Sequence, residues 1–175
     1  MSKERKAESE RGKRKEERGK PEAGYPKPGE HLFLPTDQDD EFLKVAEDIR
    51  SGVVKSFEDL VVWQKSRRLT KQIYSVTKRS NSNVDRSLAD QMRRASVSIM
   101  SNISEGHERT GVNLFLQALS HSKGSCGELR SQLYVALDAN LIRREDFDEL
   151  YPQALEISRM ITGLAKALQR SKGNK

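Results

Sequence analysis

Apolar residues recur every three or four positions along most of the chain after residue 56, which is the spacing of one face of an α-helix. Four such patterns follow one another between short polar segments. Their apolar seams are Val62, Leu69, Ile73 and Val76; Leu88, Met92, Ala95, Ile99 and Ile103; Phe115, Leu119, Cys126, Leu129, Leu133 and Leu137; and Phe147, Leu150, Ala154, Ile157, Ile161, Leu164 and Leu168. No stretch alternates with period two for long enough to compete. The pattern predicts an all-α antiparallel up-and-down four-helix bundle over residues 56–170.

Local signals mark where these helices begin and end. Ser56 is the expected N-cap of the first helix, with Asp59 completing a weak capping box. The second helix is expected to begin around Asp85 and to stop at Gly106 as its C′ residue. Pro152 lies inside the fourth pattern, so that helix either begins there or is kinked there.

Two further segments precede the four helices. Residues 1–30 are rich in Lys, Glu and Arg with almost nothing to bury, so we expect a disordered tail that either solvates the protein or grips nucleic acid. Residues 31–55 are acidic and amphipathic, which predicts a short helix packed on its own chain or on a neighbour. Its apolar face consists of Phe42, Val45, Ala46 and Ile49, and Gly52 is expected to end it.

Composition narrows the class of protein. The net charge of +6 favours an anionic partner, for which nucleic acid is the usual candidate. No apolar run approaches the roughly 18 residues of a membrane span, and the N-terminus lacks the apolar core of a signal peptide. The single Cys126 rules out an intramolecular disulfide. We therefore expect a cytoplasmic protein with no membrane partner.

The patterns of the common catalytic and metal sites are missing from the sequence. Di-iron bundles need Glu-x-x-His pairs, and no glutamate stands three residues before any of the three histidines. Glu105, His107 and Glu108 could touch a metal, but they straddle the expected helix end, so a solvated loop is favoured. Cys126 lies on an apolar seam, which favours a buried small hydrophobe over a nucleophile. We expect no cofactor, no metal and no enzymatic activity.

The outer face of the first predicted helix carries basic charge alone. Between Asp59 and Asp85 there are six Lys or Arg residues and no acid. Because solvated helix faces usually interleave both signs, we favour a surface that follows phosphates over a merely solvated one. The second helix repeats the arrangement. The candidate nucleic-acid-binding residues are Arg67, Arg68, Lys71, Lys78, Arg79, Arg86, Arg93 and Arg94.

The stretch RRASVSIMSNISEGHER, residues 93–109, combines helical spacing with many small side chains. Its alanine and serine side chains are small, which permits close approach of the neighbouring helices. Val97 and Met100 project away from the core-facing seam and so place apolar residues on a second face. They are the candidate interface with another subunit. The stretch is interpreted as structural and assembly-related, not catalytic.

Two motifs in these helices resemble a known family, the four-helix-bundle proteins encoded in bacterial 23S rRNA intervening sequences. Its F-x-x-L-x-V-W start matches Phe57, Leu60, Val62 and Trp63. Its R-R-A-x-x-S-I-x-S-N-I-x-E-G signature matches Arg93, Arg94, Ala95, Ser98, Ile99, Ser101, Asn102, Ile103, Glu105 and Gly106. The segments SKGSCGELRSQLYVAL and ISRMITGLAKAL fit the third and fourth helices of the family, so the resemblance runs from about Ser56 to Gln169.

The resemblance implies a homo-oligomer, typically a pentameric ring of bundles, with no known enzymatic activity. It also implies kinship with the accessory variability determinant of diversity-generating retroelements, a basic barrel that binds nucleic acid and docks onto a reverse transcriptase. Residues 1–55 depart from the family, most members of which lack such an extension. Our preferred hypothesis is an oligomeric RNA- or DNA-binding accessory protein. The alternative is a protein-interaction scaffold, for example an accessory subunit that docks onto a reverse transcriptase.

Overall fold

A computed structural model describes residues 37–79 and 86–172 of the chain. These residues form five α-helices and one short 3₁₀-helix, with no strand among them. The α-helices are α1 (Asp37–Arg50), α2 (Val61–Arg79), α3 (Arg86–Glu108), α4 (Val112–Asp138) and α5 (Arg144–Lys172), and the 3₁₀-helix is Phe57–Asp59. The expectation of an all-helical protein is confirmed for this part of the chain. The tail expected to be disordered, residues 1–30, lies outside the described residues.

Helix α1 packs on α5 of the same chain. The Phe42 ring lies over Gly163, where a Cβ atom would come within 2.5 Å of Phe42 Cδ2. Ala46 is completely buried in the same contact. The helix ends as expected at Gly52, whose φ of +74° suits glycine. The Val53 N–H then donates to the Asp48 carbonyl at 2.8 Å, which closes a Schellman turn.

The start of the first long helix differs from the expectation. Ser56 caps the separate 3₁₀-helix, where its Oγ accepts the N–H of Glu58 at 3.4 Å. Leu60 then adopts an extended conformation with ψ of 116°, and α2 begins only at Val61. The expected capping box of Ser56 with Asp59 is therefore wrong. The Gln64 side chain bridges the break by donating from Nε2 to the Glu58 carbonyl at 2.7 Å.

Each long helix contacts the next along the chain, and α5 returns to contact α2. Pairs of contacts give the direction of each helix relative to its neighbour. They are Thr70–Ser96 and Thr77–Arg93 for α2 and α3, Ser98–Ser125 and Gly106–Phe115 for α3 and α4, Arg130–Tyr151 and Tyr134–Phe147 for α4 and α5, and Lys65–Glu156 and Gln72–Glu149 for α2 and α5. In every case rising numbers in one helix face falling numbers in the other. Contacting neighbours therefore run in opposite directions.

The apolar seams inferred from the sequence form the core. Every seam residue is buried except Leu137, which is partly buried against the others. Cys126 is completely inaccessible, and this burial raises the pKa of its thiol to about 12. Its interpretation as a buried small hydrophobe is confirmed. The described residues, α1 included, belong to one compact unit.

Gly106 does not end α3, which continues to Glu108. It is buried inside the helix against α4, and an added Cβ would lie 2.6 Å from Ala118 Cβ and 2.7 Å from Phe115 Cδ2. The expectation of a C′ glycine is wrong because this position needs room for a neighbouring helix, not a left-handed backbone. Consequently Glu105, His107 and Glu108 occupy the last helical turn and not a loop.

Helix α5 begins at Arg144 and continues through Pro152, so the alternative that it starts at the proline is wrong. Its first turn is closed by Asp146, whose carboxylate accepts the backbone N–H of Arg143 at 3.3 Å. None of the described helices is long and apolar enough to cross a bilayer.

Candidate nucleic-acid interface

Three cations project from one side of α2, namely Arg67, Lys71 and Lys78, which we call the α2 stripe. All three are exposed, and at about 100° per residue they lie within roughly 40° of one another, opposite the buried seam. Helix α2 contains no acidic residue. Among residues 37–79 and 86–172, no carboxylate forms an ion pair with any member of the α2 stripe.

Basic residues on the side of α2 that faces α5 are placed differently. Lys65 is partly buried and forms an ion pair with Glu156 of α5. Arg68 is exposed, and it lines the groove between the two helices together with Gln72, whose Nε2 donates to Glu149 Oε1 at 2.6 Å. Negative charge therefore accompanies the cations that contact α5, whereas the outward stripe has none.

Arg93 of α3 lies at the junction with α2 and is held from three sides. Its Nε donates to Thr77 Oγ1 at 2.9 Å, and its Nη1 pairs with Asp90 Oδ1 at 3.3 Å. Its guanidinium carbon also lies 5.5 Å from the centre of the Tyr74 ring. Arg93 therefore positions neighbouring groups as well as contributing charge.

The other candidate cations of this region are on α3 and at the end of α2. Arg86 and Arg94 are exposed on α3, and Arg86 also makes an interaction with another group of the chain. Arg79 is the last residue of α2, and its side chain lies outside the described part of the protein. The structure thus brings Arg93 and Arg94 beside α2, while Arg68 faces the α5 side.

Two aromatic residues accompany the α2 stripe: Tyr74, which the reasoning from sequence missed, and Trp63, which it named only as part of the family resemblance. Tyr74 lies between Lys71 and Lys78 along the helix and is 48% exposed. Trp63 is partly exposed, and the guanidinium carbon of Arg67 lies 5.9 Å from the centre of its ring. Their positions on the outward face were available from helical spacing, because Tyr74 falls outside the apolar seam.

Of the two residues proposed for subunit contact, Val97 lies beside the basic surface. Val97 is 37% exposed and Met100 is partly buried. Val97 lines an open groove at the α2–α3 junction together with Tyr74 and Arg94. The sequence analysis assigned the apolar and the basic residues to two separate surfaces, whereas in the structure Val97 lines the same groove as Arg94.

Among the remaining polar residues and the glycine of the resemblance, Ser98 and Gly106 contact α4, and the others make local contacts at α3. Asn102 Nδ2 donates to the Ser98 carbonyl at 2.8 Å and contacts Ser98 Oγ at 3.0 Å. Ser98 Oγ in turn shares a hydrogen bond of 2.9 Å with Ser125 of α4. Ser101 is exposed and its carbonyl accepts from Ser104, while Glu105 pairs with Arg109 within the same turn. These contacts, with buried Gly106, give the motif a structural role.

The described residues offer no obvious metal centre. Nowhere in residues 37–79 and 86–172 do three or more His, Cys, Asp or Glu side chains gather at metal-binding distance. His107, which the sequence analysis weighed as a metal ligand with Glu105 and Glu108, lies edge-on to Phe115, with ring centres 6.2 Å apart. Its Nδ1 is 3.8 Å from Glu108 Oε1, which is too long for a hydrogen bond.

Comparison with known proteins identifies the family. Residues 58–163, more than half of the chain, match the family model described as 23S rRNA-intervening sequence protein. A crystal structure of a protein of unknown function from the S23 ribosomal protein family of Bacteroides thetaiotaomicron VPI-5482 has a TM-score of 0.58 and 22% identity, over 61% of this chain and 99% of that one. At that identity the likeness concerns the fold alone. A search of the curated proteins found no match. The chain belongs to the 23S rRNA-intervening sequence protein family.

Proposed function

We propose that this protein is a non-enzymatic accessory protein that binds RNA or DNA through the α2 stripe. The observation that carries the proposal is the contrast in charge compensation around α2. Lys65 has a carboxylate partner on α5, whereas Arg67, Lys71 and Lys78 face solvent without one among the described residues. A run of like charges opposes its own folding, and an external polyanion removes that repulsion.

The dimensions of the α2 stripe suit a phosphate backbone. From Arg67 to Lys78 the helix rises about 16 Å at 1.5 Å per residue, which is long enough to follow several successive phosphates of one strand. Flexible lysines and an exposed arginine act there as point charges that position a strand and do not read its sequence. Arg94 extends the positive surface onto α3.

We further propose that helices α2 to α5 form the antiparallel up-and-down bundle expected from the sequence, and that copies of it assemble into a homo-oligomer, with a pentamer implied by the resemblance. The alternating directions of contacting helices support the bundle. Exposed Val97 supports assembly. An oligomer would present several α2 stripes to one nucleic acid, which raises the effective affinity without a new kind of contact.

A protein-interaction scaffold is the second candidate. Exposed Tyr74 and Val97 lie beside arginine, and aromatic and arginine side chains are enriched in protein interfaces. An acidic protein surface, such as one on a reverse transcriptase, would then cover the groove. This candidate predicts no binding to free RNA or DNA.

The deciding experiment replaces the charge of the α2 stripe. In Arg67→Gln/Lys71→Gln/Lys78→Gln, helix propensity is nearly preserved, so fold and assembly should persist. Affinity for unrelated RNAs, measured by fluorescence anisotropy, should fall together. The slope of log affinity against log salt should decrease by about 0.7–0.9 for each phosphate that the variant no longer neutralises.

The matched control removes the same charge elsewhere. Lys123, Lys166 and Arg170 are exposed on α4 and α5, and their triple Gln variant carries three fewer positive charges as well. This control should bind nearly as the wild type does. Equal weakening by both variants would mean that net charge alone matters, and absence of wild-type binding at low salt would leave the scaffold as the better proposal.

A further inference from the structure

The groove at the α2–α3 junction differs in chemistry from the α2 stripe beside it. It is open, encloses about 580 Å³, and is lined by Tyr74, Asp90, Arg93, Arg94, Val97 and Ser98. This volume falls within the usual range for small-molecule sites. The lining mixes an aromatic ring, an apolar side chain and both signs of charge, whereas the stripe offers cations alone.

Tyr74 is fixed in this groove although it is half exposed. The Arg93 guanidinium lies against the ring at 5.5 Å, and Arg93 is itself anchored by Thr77 on α2 and Asp90 on α3. This arrangement limits the ring's freedom before any ligand arrives. A preordered aromatic ring loses less entropy on binding than a mobile one, so it serves well as a stacking platform.

The aromatic and apolar side chains of the groove favour a base over a phosphate. Asp90 and Arg93 pair with each other and so largely offset each other's charge, and Tyr74 and Val97 offer an aromatic and an apolar wall without backbone donors. The α2 stripe lies on the same helix as Tyr74, and together with Arg94, which also lines the groove, it provides the cations that a backbone needs. A strand could therefore place phosphates on the stripe while one base enters the groove.

From this geometry we propose that the α2–α3 groove binds an unpaired nucleobase stacked on Tyr74, so that the protein selects single-stranded nucleic acid. The proposal rests on the proposed function, because the α2 stripe must hold the strand. Bases within a duplex are stacked on one another and cannot reach the ring, whereas a single strand exposes the face of every base.

The test compares a labelled single-stranded 20-nucleotide RNA with the duplex formed from it and its complement. Tyr74→Ala should weaken binding of the single strand by about five- to a hundredfold, the effect of removing one stacking ring, and should leave duplex binding unchanged. Tyr74→Phe keeps the ring and should stay close to the wild type. Tyr74→Leu keeps apolar bulk without an aromatic face, and should behave like the alanine variant.

The outcomes separate this proposal from the one on which it rests. If the wild type binds neither RNA, the proposed function fails and this inference fails with it. If the wild type binds both RNAs and Tyr74→Leu binds the single strand as tightly as Tyr74→Phe does, the α2 stripe stands and the stacking site is refuted. A change of oligomer mass in Tyr74→Ala and Tyr74→Leu, with unchanged binding, would assign the ring to a subunit contact and also refute it.

Discussion

Replacing Gly106 by alanine tests how closely α3 and α4 must approach each other. An alanine Cβ at this position would lie 2.6 Å from Ala118 Cβ and 2.7 Å from Phe115 Cδ2. Carbon atoms in favourable contact are about 3.5–4.0 Å apart, so the new methyl group is roughly 1 Å too close to both. Ala118 cannot rotate its Cβ away, because that atom is attached to the α4 backbone.

Two effects of opposite sign determine the size of the change. Overpacking a well-packed core costs about 1–3 kcal/mol in the free energy of unfolding. Alanine improves helix propensity over glycine by about 1 kcal/mol. Since the backbone of α4 must yield, we expect an overpacking cost of about 2–3 kcal/mol, the upper end of this range, so that Gly106→Ala lowers the free energy of unfolding by about 1–2 kcal/mol. For a chain of this size the melting temperature should fall by about 2–8 °C.

Two glycines of α4 supply matched controls. An added Cβ at Gly124 or at Gly127 would meet nothing within 4 Å. Only the propensity effect remains there, so alanine at either position should raise the free energy of unfolding by about 0.5–1 kcal/mol. The same substitution is thus expected to have opposite signs on two adjacent helices.

Circular dichroism during thermal and urea unfolding measures all three variants. Each should be compared at several protein concentrations, because assembly adds stability by mass action. A Gly106→Ala protein as stable as the wild type would refute the close approach of α3 and α4. Destabilisation at Gly124 would instead show that another surface lies against α4.

Two further predictions concern α1 and assembly. Gly163→Ala should displace the Phe42 ring from α5, so that limited proteolysis removes α1 faster while the melting temperature of the remaining helices changes little; an unchanged cleavage rate would contradict the contact. Sedimentation equilibrium should show an oligomer for the wild type, and Val97→Arg/Met100→Gln should dissociate it while keeping the helical circular dichroism. A wild-type mass near that of one chain, 19.9 kDa, would refute the assembly proposal.

Periodicity in the sequence was sufficient to identify the core. A helix that buries one face repeats its apolar residues every three or four positions whatever its partner is, so Ile73, Ile99 and Leu133 could be assigned to the interior without coordinates. Turn chemistry is similarly local. Gly52 ends α1 because its left-handed backbone favours glycine, and that preference needs no tertiary contact.

The predictions for Gly106 and for the start of the first long helix were wrong because both features depend on the tertiary structure. Local sequence rules predict that Gly106 ends a helix, whereas in the fold it lies inside α3 at the contact with α4. Only the positions of Phe115 and Ala118 distinguish the two roles, and these depend on how the helices pack. The break at Leu60 separates a segment whose spacing alone indicates one helix. Neither feature leaves a mark in the spacing of apolar residues.

Part of the candidate site could be predicted from the sequence, and part depends on how the helices pack. The basic face of α2 follows from the sequence, because side chains at positions 67, 71 and 78 project in one direction on any α-helix. Which cations lack a carboxylate depends on α5, where Glu156 reaches Lys65 and leaves the α2 stripe uncompensated among the residues that the structure describes. The groove around Tyr74 exists only because α3 places Arg93 against that ring, and a contact between residues 74 and 93 is a property of helix packing that no single helix encodes.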